Sequence, residues 1–428
     1  MAKINKLYGY EIIDSRGIPT IEAKLELDSG QQLTTAAPSG ISKGAKEAWE
    51  LRDDDSKRFN GLGVSQSVSY INSLISPKLL GTDPSKQIEI DNWLISADGT
   101  KNKSKLGANT ILVVSQLIAK ASAVSQELPL FKYINSLYNK LSKSQLSPER
   151  IPWPIFNIIN GGKHSNNSLQ FQEYQIIPSS SLSFSESYQT AIEIFYELKK
   201  VLQSRNSSAA VGEEGGLSTN LPSNLDSFDV INEAIVRKNL KAGLDVFIGS
   251  DIAASHFFSN DRYSIRDKPH PLNRDEFIDF LMNLVKNYAV LALEDPLYEE
   301  DWSGWKKLMS VLPNSIYLVG DDLICTNKER LLTAIKEKAC SGVIIKPNQI
   351  GTISEALEVV SIAKKNNICT VVSHRSGESN DDFIADFAVG VQADFCKFGA
   401  PCRGERVAKY NRLWNIERHE LQHGTWNI

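Results

Sequence analysis

From residue 150 onward, short apolar runs alternate with longer stretches of helical spacing. The runs are PIFNIIN (154–160), YQIIP (174–178), VFIGSD (246–251), VLALED (290–295), YLVGDD (317–322), VIIKPN (343–348), TVVSHR (370–375) and FCKFG (395–399). Six of the eight continue through long helical spacers, the pattern of a parallel sheet, and eight strands close most simply into a β/α barrel. The first connection departs from that rule. Only a short loop separates PIFNIIN from YQIIP, too little for the crossover that a parallel pair requires. The barrel is therefore expected to begin with two antiparallel strands and two helices, an irregular ββαα start.

The preceding segment reads differently. IPTIEAKLEL and QQLTTAAP alternate apolar and polar positions around Asp28-Ser29-Gly30, a hairpin signal. Helical patterns follow, with the apolar positions of ANTILVVSQLIAKASAVSQ (108–126) predicting a mostly buried helix. The Ser- and Lys-rich stretch 135–152, closed by proline, is the expected linker. The expected organisation is α/β overall, a smaller α+β domain over 1–139 and a barrel over 140–428.

Composition narrows the function classes. With 41% hydrophobic residues, 23% charged residues and a formal charge of -4, the chain has the make-up of a globule, and neither nucleic acid nor an anionic membrane is expected as its main partner. The N-terminal MAKINKLYGYEIID contains no apolar run of signal-peptide length, and a cytoplasmic location is expected. Five cysteines without C-x-x-C spacing point to reduced thiols rather than a disulfide framework or zinc site.

The last six runs end in ionisable residues: Asp251, Glu294, Asp321, Lys346, His374 and Lys397. The last four intervals, 27, 25, 28 and 23 residues, each hold one strand, one helix and loops, so each unit returns the chain to the same rim. In β/α barrels the C-terminal rim carries the active site. Three carboxylates converging there repel one another unless a cation sits among them, and their hard oxygens suit Mg²⁺. Lys346, near a cation and the ammonium of Lys397, is expected to have a depressed pKa useful to a base. Glu173 beside Gln172, Glu213 and Glu214 in the glycine-bounded VGEEGG loop, and His164 in NGGKHSNN are further candidates. His374, Arg375 and Ser376 form a consecutive donor set for carboxylate or phosphate oxygens.

These motifs together resemble the enolase family over nearly the whole length. The resemblance is carried by YEIIDSRGIPT, PSGISKGAKEAWELRD, LGANTILVVSQLIAKA, NIINGGKH, VGEEGG, LEDPLYEEDWSGW, VGDDLICTN, KPNQIGT, SHRSGES, ADFAVG and GAPCRGERVAKYN, in the family's order. It implies a TIM-like barrel that interconverts 2-phosphoglycerate and phosphoenolpyruvate with two Mg²⁺ ions. It further implies that Asp251, Glu294 and Asp321 hold the first ion and Ser42 helps bind the second. Lys346 matches the base at C2, Glu214 the acid at the C3 hydroxyl, and Glu173 its assistant. His164, Gln172, His374, Arg375, Ser376 and Lys397 match substrate-binding and charge-stabilising positions. A homodimer or higher assembly through the N-terminal domain is also implied.

Departures from the family pattern are Ile18 for Asn, Lys43 for Thr, Glu213 for Asp, His256 for Glu, Phe398 for Thr, and the tail RHELQHGTWNI. None removes a member of the core constellation. The alternatives are an enzyme acting on a related phospho or phosphono acid, and a weakly catalytic binding protein.

Overall fold

The computed structural model describes residues 2–40, 46–165 and 169–421. Three antiparallel strands open the fold: β1 (Ile4–Ile13), β2 (Pro19–Leu27) and β3 (Gln32–Ala36). The expected hairpin is β2–β3. The pattern had not marked β1, whose inward positions Ile4 and Leu7 are interrupted by half-exposed Tyr8, Tyr10 and Ile12. Helix Ala108–Ser125 packs across this sheet, and most of its residues are buried, as its apolar positions predict. By length and hydropathy it is apolar enough to cross a membrane, but 83% of it is buried inside this fold.

The stretch expected as a linker begins as helix. Leu130–Ser142 carries Phe131, Ile134 and Leu137 into the core and packs on helix Phe383–Gly390, with Asn135 buried at that contact on the Gly390 carbonyl and only Ser136 and Lys140 exposed among its polar residues after 134.

All eight apolar runs are strands: β4 (Trp153–Asn160), β5 (Glu173–Pro178), β6 (Val246–Asp251), β7 (Val290–Glu294), β8 (Tyr317–Gly320), β9 (Gly342–Ile345), β10 (Cys369–Ser373) and β11 (Phe395–Lys397). They hydrogen-bond in chain order and close through β11 against β4, giving an α/β barrel behind a smaller α+β unit. As expected, β4 and β5 are antiparallel. β5 is also antiparallel to β6, while the other neighbours are parallel. Two helices, Phe184–Ser204 and Asn224–Arg237, separate β5 from β6, and single long helices bridge each later pair.

Local sequence starts these helices. Ser183 and Asn273 form capping boxes with Glu186 and Glu276, and Ser223, Asp301, Asn327 and Thr352 each accept a first-turn amide. Inside the barrel, Ile155, Ile177, Ala292, Val319, Ile344 and Phe395 fill the end away from the carboxylate rim. The barrel is thus a packed stem whose other end is free for polar chemistry. The five cysteines are free thiols.

The smaller unit reaches that polar rim. Ser39 and Gly377 exchange backbone hydrogen bonds, and Asp14 accepts from Ser39 Oγ at 2.7 Å. Deeper contacts are Lys120 to Asp381 at 2.7 Å and Ser354 to Asp91 at 2.6 Å.

Candidate active site

Strand direction decides which residues meet. Parallel strands deliver Asp251, Glu294, Asp321, Lys346, His374 and Lys397 at or just beyond their C-terminal ends. Glu173 lies at the beginning of β5. Because β5 runs backwards, that beginning pairs Glu173 with Asp251 and Asn160 at the same rim. Glu214 arrives from the VGEEGG loop, closed by a short ladder between Ala210–Val211 and Leu217–Ser218 that adds to β4. Gly215 there has φ of 88°, a conformation disfavoured for any residue with a Cβ. Glu213 is exposed while Glu214 is buried.

One small polar cavity is lined by His164, Gln172, Glu173, Glu214, Asp251, Lys346, His374, Arg375, Ser376 and Lys397. Glu294 and Asp321 join it through the two lysines. Lys397 Nζ lies 2.6 Å from Glu294 Oε2, 3.2 Å from Glu173 Oε2 and 3.6 Å from Asp251 Oδ2. Lys346 Nζ pairs with Asp321 Oδ2. On the other side, His164 Nδ1 lies 3.3 Å from Glu214 Oε2 and 3.9 Å from Glu173 Oε1, and Ser376 Oγ lies 3.3 Å from His164 Nε2. Ser42 and Lys43 lie outside the described residues.

Burial sets the electrostatics. Three carboxyls, Glu173, Asp251 and Glu294, face one ammonium, so full ionisation would leave two buried negative charges uncompensated. Burial, ahead of the repulsion from Glu173 and Asp321, therefore pushes Asp251 up to about 8 against the pull of Lys397. Glu294 rises well above the carboxylate range, by burial and then by Asp251. For Lys397 burial opposes the charge, but its three carboxyl neighbours prevail and hold it protonated.

Asp251 Oδ1 and Glu294 Oε1 are buried without a hydrogen-bond partner. Two orphaned oxygens of the hard kind, in a cluster short of two positive charges, fit a divalent cation. The Asp295–Asp321–Asp322 cluster, whose ligand atoms lie within 4.8 Å of one another, is tighter. Asp295, however, spends its oxygens on the amides of Asp321 at 3.0 Å and Asp322 at 2.7 Å, which makes it a brace for the Asp321 loop. Asp251 and Glu294 could hold an ion through their unpartnered oxygens, and Asp321, whose oxygens take Gln349 and Lys346, could join them by giving up the lysine.

A carboxyl whose pKa is higher folded than unfolded stabilises the fold while it keeps its proton. It loses that contribution as pH climbs to the folded value. For Asp251 the window runs from its ordinary 3.8 to about 8. With divalent ions chelated, the melting midpoint is expected to fall between pH about 6 and about 9, and Asp251→Asn should flatten the slope. Equal slopes in the two proteins would show that Asp251 is ionised throughout.

The depression expected of Lys346 belongs to a site loaded with a cation; among the protein's own groups burial lowers its pKa first, with Arg375 and Lys397, while the Asp321 carboxylate and Glu294 together leave it raised. Glu214 goes the other way: burial pushes it up, yet His164, ahead of its other neighbours, and Arg406 hold it well below the carboxylate range. Glu173 is raised, by burial first.

Several partners carry no mark of their own in the sequence. Gln349 Nε2 donates to Asp321 Oδ1 at 2.9 Å and to Glu47 Oε1 at 3.3 Å. Glu47 also receives Arg375 Nη1 at 2.8 Å. Asn157 Nδ2 donates to Glu214 Oε2 at 3.1 Å and Gln175 Nε2 to Glu173 Oε2 at 2.7 Å, while the expected candidate Gln172 donates from Nε2 to Asp251 Oδ2 at 3.3 Å. Gln349 and Glu47 sit inside quoted motifs, KPNQIGT and KEAWE, which is the only available signal. Of the departures, Phe398 is buried with its amide on Tyr410 Oη. His256 lies in the turn after β6, held neutral near 4 by burial, Lys163 and His164.

The family profile described as "Enolase, N-terminal domain" matches residues 4–134, and that described as "Enolase, C-terminal TIM barrel domain" matches residues 148–427. Together with the reversed second strand and the carboxylate–lysine rim, these matches show that the chain belongs to the enolase family.

Proposed function

We propose that the protein is a Mg²⁺-dependent hydro-lyase that reversibly dehydrates 2-phosphoglycerate to phosphoenolpyruvate, in glycolysis and gluconeogenesis. The observation that carries this reading is a single cavity with Lys346 at one side and the His164–Glu173–Glu214 cluster at the other. Lys346 follows β9 and Glu173 opens β5, four strands apart in a ring of eight, which places them across the barrel mouth. Removing a proton from one face of a substrate and a hydroxyl from the other needs such a pair.

In this reading Lys346 takes the C2 proton and Glu214 delivers a proton to the hydroxide leaving C3. Because Glu214 rests as a carboxylate, it must take up a proton before it can act as the acid, and Glu173, facing the same His164 Nδ1, has a raised pKa. Arg375, Ser376, His374, His164 and Gln172 orient the phosphate and carboxylate oxygens, and Lys397 adds positive charge beside the substrate carboxylate. Two Mg²⁺ ions, one held by Asp251, Glu294 and Asp321 and one with Ser42, would carry the charge that builds on the substrate carboxylate and share that of Asp321, freeing Lys346.

The test is ultraviolet absorbance of the enol product on mixing the protein with 2-phosphoglycerate and Mg²⁺. A steady rise that EDTA abolishes is expected, and no rise would refute the substrate assignment. We further place the protein in the cytoplasm as a homodimer or higher assembly. Half-exposed Tyr8, Ile13 and Leu62 on the smaller unit support that assembly. Light scattering at micromolar concentration should give at least twice the 47.5 kDa chain mass, and the monomer mass would remove the claim.

A further inference from the structure

Arg406 is a fully buried charge for which the proposed chemistry has no role. It lies in the first turn of helix Gly404–Asn415, the end where a cation opposes the helix dipole, so its position does nothing for that helix. Its nearest carboxylate oxygen, Glu405 Oε1, is 3.6 Å from Nε. A guanidinium buried on those terms is costly unless hydrogen bonds use its donors.

Here Nη1 and Nη2 are used on the active-site loops, while Nε makes no hydrogen bond. Nη1 reaches His374 Nδ1 at 2.6 Å and the Arg375 carbonyl at 2.6 Å. Nη2 reaches the carbonyls of Ser376 at 2.5 Å and Glu213 at 3.4 Å. Gly399, with φ of 90°, makes room for the meeting. A Cβ there would lie 2.9 Å from Arg406 Cδ, 3.0 Å from His374 Cε1 and 2.7 Å from the Glu214 carbonyl.

A guanidinium has only donors and keeps its proton at any accessible pH. The contact with His374 Nδ1 is therefore a hydrogen bond only if Nδ1 bears a lone pair, and the ring proton must sit on Nε2. Nε2 lies 3.6 Å from Glu214 Oε2, on the cavity side. The opposite tautomer would set N–H against N–H at Arg406 and a lone pair against a carboxylate at Glu214.

We propose that Arg406 is a positioning residue that fixes His374 as the neutral Nε2–H tautomer, so that the ring aims a donor at Glu214 and the substrate cavity. The inference rests on the assignment of Glu214 and His374 to the reacting site. The charged groups facing the ring agree with it. Burial, Arg406, Lys397 and Lys346 all disfavour imidazolium, and Glu214 alone favours it, leaving His374 well below the usual histidine range.

The test is nitrogen NMR of the full-length protein labelled in its six histidines, with the His374 signals assigned by their loss in His374→Gln. The unmodified protein should show Nε2 protonated and Nδ1 unprotonated from pH about 6 to about 9. Protonation at Nδ1 in that range overturns the proposal without any Arg406 variant having to fold. In Arg406→Gln, whose carboxamide can accept as well as donate, the tautomer should become mixed and the ring should titrate closer to ordinary histidine. Arg406→Lys, which keeps a donor, should retain the tautomer. Turnover of 2-phosphoglycerate should fall about tenfold or more in kcat in the Gln variant, with KM within about threefold, and recover partly in the Lys variant. An unchanged tautomer with lost turnover in Arg406→Gln would show that Arg406 acts through packing and overturn the assignment. Because the spectra need no substrate, failure of the 2-phosphoglycerate reading and failure of this one are separately visible.

Discussion

Lys346→Ala is expected to lose both turnover and exchange of the C2 proton of 2-phosphoglycerate with deuterated solvent, whereas Glu214→Gln should lose turnover and keep the exchange. The asymmetry follows from position. Lys346 and Asp321 form one buried pair, while Glu214 is tied to His164, His374 and Asn157 on the loop beside β4. Proton removal at C2 comes first and leaves the C3 hydroxyl in place, so a site without its acid still runs the first step in both directions. Each loss should amount to roughly two to four orders of magnitude. Exchange is read by mass spectrometry of recovered substrate, and folding of both variants by their melting midpoints. Exchange surviving in Lys346→Ala, or vanishing in a folded Glu214→Gln, would mean the roles are misassigned, and Glu173 would be the next residue to test.

The strand-tip residues were legible because each ends an apolar run, and a parallel barrel turns that regular spacing into a ring. LALEDP shows how far such reading goes. Glu294 was rightly placed at a strand tip, but its neighbour Asp295 takes a left-handed conformation, φ 41°, and turns its carboxylate onto the Asp321 and Asp322 amides. Two adjacent acids thus take different work, one meeting Lys397 at the rim and one bracing a loop. Alternation alone cannot separate them. Glu173 looked like a residue beside a strand, and only the reversed direction of β5 explains why it reaches the rim.

What stayed hidden is long-range. Glu47 meets Arg375 and Gln349 across some three hundred positions of sequence, and Arg406 meets His374 from a helix that reads as an ordinary amphipathic one. The balance of the protein's own charges on Lys346 is hidden for a related reason. Spacing shows which charges share a rim, but which of them touch depends on side-chain packing, and there Asp321 outweighs Lys397 and Arg375.

Lys397→Met should be the most destabilising single change in the cavity when divalent ions are chelated. The ammonium is the only cation within 4 Å of Asp251 and Glu294 in the described structure, and it also serves Glu173. Methionine keeps most of the volume, so the loss is electrostatic rather than a cavity. Breaking a buried ion pair by removing one partner costs roughly 3–5 kcal/mol, because the remaining charge is stranded. Here the stranded carboxyls escape by taking protons, which raises their pKa further and ties the penalty to pH. The gap in stability between Lys397→Met and its parent should therefore be small at pH about 6 and widen towards pH about 9. Added Mg²⁺ should narrow it again, since a divalent ion can balance charge that the ammonium no longer does. Lys346→Met should show a smaller gap, because Asp321 keeps its hydrogen bond from Gln349. Denaturant unfolding of the three proteins at both pH values, with chelator and with Mg²⁺, measures all of this. A pH-independent gap for Lys397→Met would mean that packing, not charge, holds the lysine in place, and the cation-binding assignment for Asp251 and Glu294 would lose its electrostatic basis.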